Sequence, residues 1–252
     1  RSGRGAGCLP GRRRFPAAVT GVVVSCEHAG NEVPETFARL FAGQQDLLSS
    51  HRGWDPGAAE LALVIARRLG ATPHLYPWTR LLVEVNRSEG HPALFSPLTR
   101  PLDANQRQVL LRNFYRPHRS QVTAALEREI ERNGRVLHLA VHTFTPIFDG
   151  KPRTIDVASL DDPRRPLERA FTNRFLAELH TRRPTLRLAR NRPYRGWSDG
   201  LTTTLRAHFP ADAYLGIELE ISQSFPLGDP MVWEELQGEV AAACLAAIGE
   251  RD

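Results

Sequence analysis

The stretch that decides the reading is Val22-Val23-Val24-Ser25-Cys26-Glu27-His28-Ala29-Gly30-Asn31-Glu32-Val33-Pro34. Three consecutive valines make an apolar, β-branched run suited to a buried strand. That run leads straight into Cys26, Glu27 and His28, after which Ala29 and Gly30 remove side-chain bulk. Open α/β sheets present their chemistry in this way, at strand ends that carry ligand-capable side chains on small-residue turns. Two later segments have the same form. VLHLAVHTFTP closes on His142, and YLGIELEISQ carries Glu218 and Glu220. Three polar strand ends far apart in sequence predict one converging site.

Working outward, Asp55-Pro56-Gly57 precedes AAELALVIARRLG, whose apolar residues recur at helical spacing until Gly70. Strands are predicted at 21–26, 72–76, 80–85, 135–142, 154–159, 185–189 and 213–221. Helices are predicted at 102–132, broken near Pro117, and at 164–182, 199–208 and 230–249. The Pro/Ser/Thr-rich segment 88–106 and the polar segment 191–200 read as loops, and long loops in compact domains tend to be functional. Strands alternating with helices predict one α/β domain with a mixed, mostly parallel sheet covered by helices on both faces.

The net charge of +5 invites a nucleic-acid partner, but its distribution argues against one. Five arginines (Arg1, Arg4, Arg12, Arg13 and Arg14) lie in residues 1–20, which contain no acid. The 28 basic residues left over balance the 28 acidic ones, so the body at 21–252 is neutral and residues 1–20 read as a solvated, disordered arm. That arm lacks the apolar core of a secretory signal. No apolar run approaches the eighteen or so residues of a membrane span. Cys8, Cys26 and Cys244 are too few and too irregular for a disulfide framework, which points to a reducing cytoplasm.

His28 and His142 end apolar runs beside small or turn residues, where an imidazole can reach a metal and leave room for substrate. A catalytic zinc needs a third protein donor, and Asp55, Glu27 and Glu32 are available. Asp55 has a plain alternative as a helix N-cap with Pro56 at the first helical position. Strand alternation would aim Glu27 at the opposite face unless the turn begins there, whereas Glu32 lies one helical turn beyond His28. Cys26 reads as a buried strand thiol. Glu218 and Glu220 share one face of an apolar strand, where carboxylates need partners or a task such as general base. Arg80, Asn86 and Arg87 bracket the apolar run Leu81–Val85, and a guanidinium there can clamp a carboxylate.

Taken in order, CEHAGNEVP, SHRGWDPGA, RLLVEVNRSEGHPALFS, YRPHR, HTFTP, NRPYRG and GIELEISQ resemble the N-formylglutamate amidohydrolase family over about residues 20 to 225. That family is similar to the zinc carboxypeptidases and aspartoacylase. The resemblance implies a zinc-carboxypeptidase-like fold with one Zn2+ per chain and hydrolysis of an N-acyl amide on a small N-acyl amino acid. It assigns His28, Asp55 and His142 to the metal and Glu220 to general base. Arg80, Asn86, Arg87 and Tyr194 are assigned to the substrate. Two positions depart from the family pattern: Ser222 stands where Arg often follows, and Glu84 where Asp is common. Two rival readings remain, a non-catalytic acyl-amino-acid binding module and a metal-free hydrolase using Cys26 with His28.

Overall fold

The computed structural model describes residues 21–249. The basic arm expected at 1–20 lies outside them. Strand β1 (Gly21–Cys26) is the valine run, and a 3-10 turn at Glu35–Phe41 and the short α1 (Gln45–Ser49) follow. Helix α2 (Ala58–Leu69) ends at left-handed Gly70 and leads into β2 (Pro73–Leu75). Helices α3 (Ala104–Leu110) and α4 (Arg116–Asn133) precede β3 (Val136–Phe144). A small hairpin of β4 (Ile147–Phe148) and β5 (Lys151–Pro152) comes next, then β6 (Val157–Leu160) and α5 (Pro166–Arg182). Strand β7 (Leu188–Arg190), α6 (Leu201–His208), β8 (Tyr214–Ser222) and α7 (Pro230–Ile248) complete the order.

The main sheet has six strands in the order β2-β1-β3-β8-β6-β7. β2, β1, β3 and β8 are parallel, while β6 runs antiparallel to β8 and carries β7 with it. The mixed, mostly parallel sheet expected from the sequence is therefore present. The strand connections diverge at β1, with β2 on one side and β3 on the other, and such a switch point opens a crevice beyond the carboxyl ends of the strands.

Strand alternation separates the two faces of the sheet. Val24, Leu137, Leu139, Ile217, Leu219 and Ile221 pack under α2, α5 and α7. Val23, Val136 and Tyr214 face α4 and α6 with Val122, Leu126 and Leu205. By the period of two, Tyr214, Gly216, Glu218, Glu220 and Ser222 share the second face. There the interior turns polar: buried His138 lies 2.7 Å from Ser25 Oγ and 2.8 Å from the Tyr214 hydroxyl. No helix among the described residues is long and apolar enough to cross a membrane.

Two local expectations are corrected. Residues 80–85 form no strand. Leu81, Leu82, Val83 and Val85 are buried, but their partners are Phe41, Tyr76, Leu94 and Leu110 in a side-chain cluster beside the sheet. Their backbone closes on local turns, Leu82 N to Thr79 O and Arg87 N to Glu84 O. The long helix is irregular at Leu111–Tyr115, not at Pro117, which fits the first turn of α4. Proline has no N–H for the carbonyl one turn back, and a widened π turn just upstream, with Arg116 N bonded to Leu111 O, absorbs the mismatch.

Candidate active site

His28 sits in the turn that follows β1, and backbone bonds fix that turn. Gly30 N donates to Tyr76 O and Asp55 N donates to His28 O, tying the first strand end to the loop before α2. A Cβ on Gly30 would lie 2.2 Å from the Pro77 carbonyl, so the small-residue turn permits a close backbone approach. His142 comes from β3 and faces Glu220 of β8 in register.

These elements bring three donors together. His28 Nδ1 and His142 Nδ1 each lie 3.1 Å from Asp55 Oδ2. One donor atom from each of His28, Asp55 and His142 falls within 4.8 Å of the others, an arrangement that could hold a metal ion, and all three residues are buried. Two imidazoles and a carboxylate with room for a further ligand is the donor chemistry of a catalytic zinc site. Glu32 is not part of it: the side chain is exposed, because the chain after His28 runs extended, with Glu32 N bonded to Pro77 O. Nor is Asp55 a helix cap. The N-cap of α2 is Gly57 at φ 82, and no side chain caps it.

The outer nitrogens of both imidazoles face carboxylates. His28 Nε2 lies 2.6 Å from Glu84 Oε1, and His142 Nε2 lies 3.1 Å from Glu27 Oε2. A carboxylate behind a ring fixes its tautomer and leaves the other nitrogen free to ligate. Glu84 is held in turn by Arg80, whose Nε and Nη2 reach Oε2 at 2.7 and 2.6 Å while Nη1 reaches Asp55 Oδ1 at 3.3 Å. Burial would raise Asp55 and Glu84, but His28, His142 and Arg80 around them hold both well below the usual carboxylate range. Glu27 was expected on the far face. The strand ends at Cys26, so alternation stops there, and the side chain turns under the site instead.

Glu220 behaves differently. It lines the same cleft, is 6% exposed, and its Oε2 has no hydrogen-bond partner. Burial, opposed only in part by His142, pushes its carboxyl up to about 8. Cys26 is fully buried, and burial pushes its thiol well up, which removes the thiolate that the metal-free cysteine reading needs.

The cleft has a volume of about 430 Å3, and Arg80, Arg87 and Arg195 line it. Arg87 lines it with no carboxylate partner among the described residues, its Nη1 bonded to the Asp199 carbonyl. Asn86 Oδ1 accepts from Leu201 N at 2.8 Å, leaving its amide group toward the cleft. Tyr194 is 43% exposed on the rim, with its hydroxyl 3.2 Å from Arg153 Nη1. His28, Asp55, Arg80, Asn86, Arg87, His142, Tyr194 and Glu220 thus line one cleft, whereas Cys26, Glu27 and Glu32 do not. Glu218 lines it too and accepts a bond from Thr202 Oγ1. Ser222 does not: it is buried, 2.9 Å from Ser224 Oγ.

Arg195, Ser198 and Asp199 also line the cleft, and sequence reasoning missed them. Their loop is fastened from beneath by buried Arg206, which pairs with Glu168 at 3.0 Å and donates to the carbonyls of Gly196 and Gly216. The signals available were the NRPYRG motif, which includes Arg195, and the polar 191–200 segment that contains Ser198 and Asp199.

The family model described as N-formylglutamate amidohydrolase matches residues 20–225. The chain belongs to this family. A solved structure of a gene product from Agrobacterium tumefaciens is 27% identical with a TM-score of 0.75, covering 92% of this chain and 93% of that one. The N-formylglutamate amidohydrolase from Ralstonia eutropha JMP134 is 20% identical with a TM-score of 0.69 over 92% and 94% of the two chains, which shows the shared fold. Murine aminoacylase 3 is 14% identical at a TM-score of 0.40, covering 92% of this chain and 66% of that one, and carries no argument at that level. No curated protein matches the sequence. Membership in the family fits a hydrolase of N-acyl amino acids, as the motifs implied.

Proposed function

We propose that this protein is a cytoplasmic, zinc-dependent hydrolase that cleaves the N-acyl amide of an N-acyl amino acid. His28, Asp55 and His142 would hold one zinc ion per chain. The observation that carries the reading is Glu220, a buried carboxyl with an unpartnered oxygen in the cleft that gathers those three donors. Zinc bound there would polarise the acyl carbonyl and make water a better nucleophile near neutral pH.

The remaining steps belong to the chain. Glu220 accepts a proton from the attacking water and passes it to the departing amine nitrogen, a task suited to a carboxyl raised toward neutrality. Arg87 and the Asn86 amide grip the free carboxylate of the amino acid, and Tyr194 closes that side of the cleft. Arg80 spans Asp55 and Glu84 and offers its exposed edge, 26% of the side chain, to the substrate. Holding the amide in one orientation against Glu220 supplies a further part of the rate enhancement.

The test is metal content and hydrolysis of N-formylglutamate and other N-acyl amino acids by untagged protein, before and after chelation. About one zinc per chain, lost and regained together with hydrolysis, is the expected result. Glu220→Gln should keep its metal and lose turnover by about 10²- to 10⁴-fold. Undiminished turnover in that variant would remove Glu220 from the mechanism. Metal-independent binding without product would hand the function to the binding-module reading.

A further inference from the structure

Behind His142, away from the cleft, lies a carboxylate with an unusual environment. Glu27 is fully buried, and neither of its oxygens has a hydrogen bond. Its Oε2 is 3.1 Å from His142 Nε2, and its Oε1 is 3.7 Å from His118 Nε2. Both imidazole nitrogens also lack hydrogen bonds. The side chains that face the Glu27 carboxylate are thus two imidazoles, those of His118 and His142. A fully buried carboxylate without hydrogen bonds is unfavourable unless its immediate neighbours compensate it.

The two sides of the donor cluster are built differently. Behind His28, Glu84 is fastened by Arg80 and by Asn86 N at 3.0 Å. Behind His142, Glu27 has only His118 on its far side among the described residues. His118 is buried on the first turn of α4, immediately after the π turn at 111–115, with its ring 5.3 Å from that of Tyr76. A π turn re-aims the helix face that follows it, and such turns are frequent at functional sites. The helix irregularity, the buried carboxylate and the unpartnered nitrogens all converge on one histidine.

We propose that His118 is a positioning residue for the metal centre, holding Glu27 against His142 so that His142 Nδ1 faces Asp55 and the cleft. The inference rests on the metal reading proposed above and extends it to a residue that neither lines the cleft nor touches a ligand atom. Removing the imidazole leaves Glu27 without its second partner, so the orientation of His142 loosens while the three donors remain in the chain. Loss of an outer-shell partner of this kind weakens metal affinity by about 10- to 100-fold.

The experiment measures zinc affinity by competition with a chromophoric chelator, the visible spectrum of the cobalt(II)-substituted protein, and the urea stability of the metal-free protein. The variants are His118→Phe, which keeps a ring, His118→Gln, which restores a donor, Glu27→Gln, and the double variant Glu27→Gln/His118→Phe. His118→Phe is expected to bind zinc about 10- to 100-fold more weakly, with an altered cobalt spectrum. His118→Gln should recover part of that loss. The double variant should bind no more weakly than Glu27→Gln alone, because His118 acts through Glu27. Wild-type affinity and spectrum in His118→Gln and His118→Phe would overturn the inference, as would additive losses in the double variant. If His118→Phe does not fold, His118→Gln and Glu27→Gln still decide it. A wild-type protein that takes up no metal would instead overturn the metal reading itself, a separate and recognisable failure.

Discussion

Replacing Glu220 with Gln should stabilise the metal-free protein, and the size of the gain should depend on pH. Burial raises this carboxyl from an ordinary 4.5 to about 8. Between those values the folded protein keeps a proton that the unfolded chain has released. The native state then binds more protons, so this site lowers stability as pH rises. A tenfold change in proton affinity is worth about 1.4 kcal/mol, and ionising Glu220 in the fold therefore costs roughly 4 to 5 kcal/mol above pH 8. Gln has the shape of the protonated acid and nothing to ionise. Wild type and variant should match near pH 4.5 and diverge progressively toward pH 9, by a large share of the ~5–15 kcal/mol that keeps a domain folded. Urea unfolding in the presence of a chelator, followed by tryptophan fluorescence at several pH values, reads the difference as a shift in midpoint at constant slope. Adding zinc should narrow the gap, since a nearby cation favours the charged carboxylate. A variant whose advantage does not change between pH 5 and 9 would refute the assignment of Glu220 as a desolvated acid.

Two further outcomes follow from the cleft and its support. Arg87→Met should raise KM by about 10- to 100-fold for N-acyl amino acids, in line with loss of a charge-assisted contact of about 1.5–3 kcal/mol, and leave substrates with an amidated carboxyl nearly unaffected. Equal losses on both substrate types in steady-state kinetics would show that Arg87 does not read the carboxylate. Arg206→Met leaves the buried Glu168 carboxylate with only its backbone bonds from Asp162 N and Gly216 N and no counter-charge, and the expected destabilisation is about 3–5 kcal/mol by urea unfolding. Arg206→Met/Glu168→Leu should regain part of it; a double variant no more stable than the single one would show that the backbone bonds made by the two side chains, not the charge pairing, dominate.

Much of this protein is legible locally. β-branched runs and helical spacing are properties of neighbouring residues, which is why β1, β3, β8, α2 and α5 fall within a few residues of their predicted bounds. The same locality reveals the strand-end positions of His28 and His142 and the shared face of Glu218 and Glu220. The apolar run at 80–85 misled because periodicity reports burial without naming the partner. Its partner here is a side-chain cluster with Phe41 and Leu94, not a neighbouring strand.

What the sequence by itself determined is the kind of chain this is: an α/β domain with a neutral body, polar strand ends and an ordered set of family motifs. Tertiary structure alone decided which carboxylate stands beside His28 and His142. The family motif favours Asp55 and leaves Glu32 as the alternative, and which of them stands near His28 turns on whether the chain after His28 coils or runs extended. It runs extended because Gly30 and Glu32 find their hydrogen bonds on the carbonyls of Tyr76 and Pro77, residues that only folding brings alongside. The place of Glu27 was decided in the same way. Strand alternation would send its side chain away from the site, but the turn begins at Glu27, and two histidines from β3 and α4 complete its surroundings. Burial and charge pairing depend on distances between segments remote in sequence, and those distances exist only once the sheet has formed.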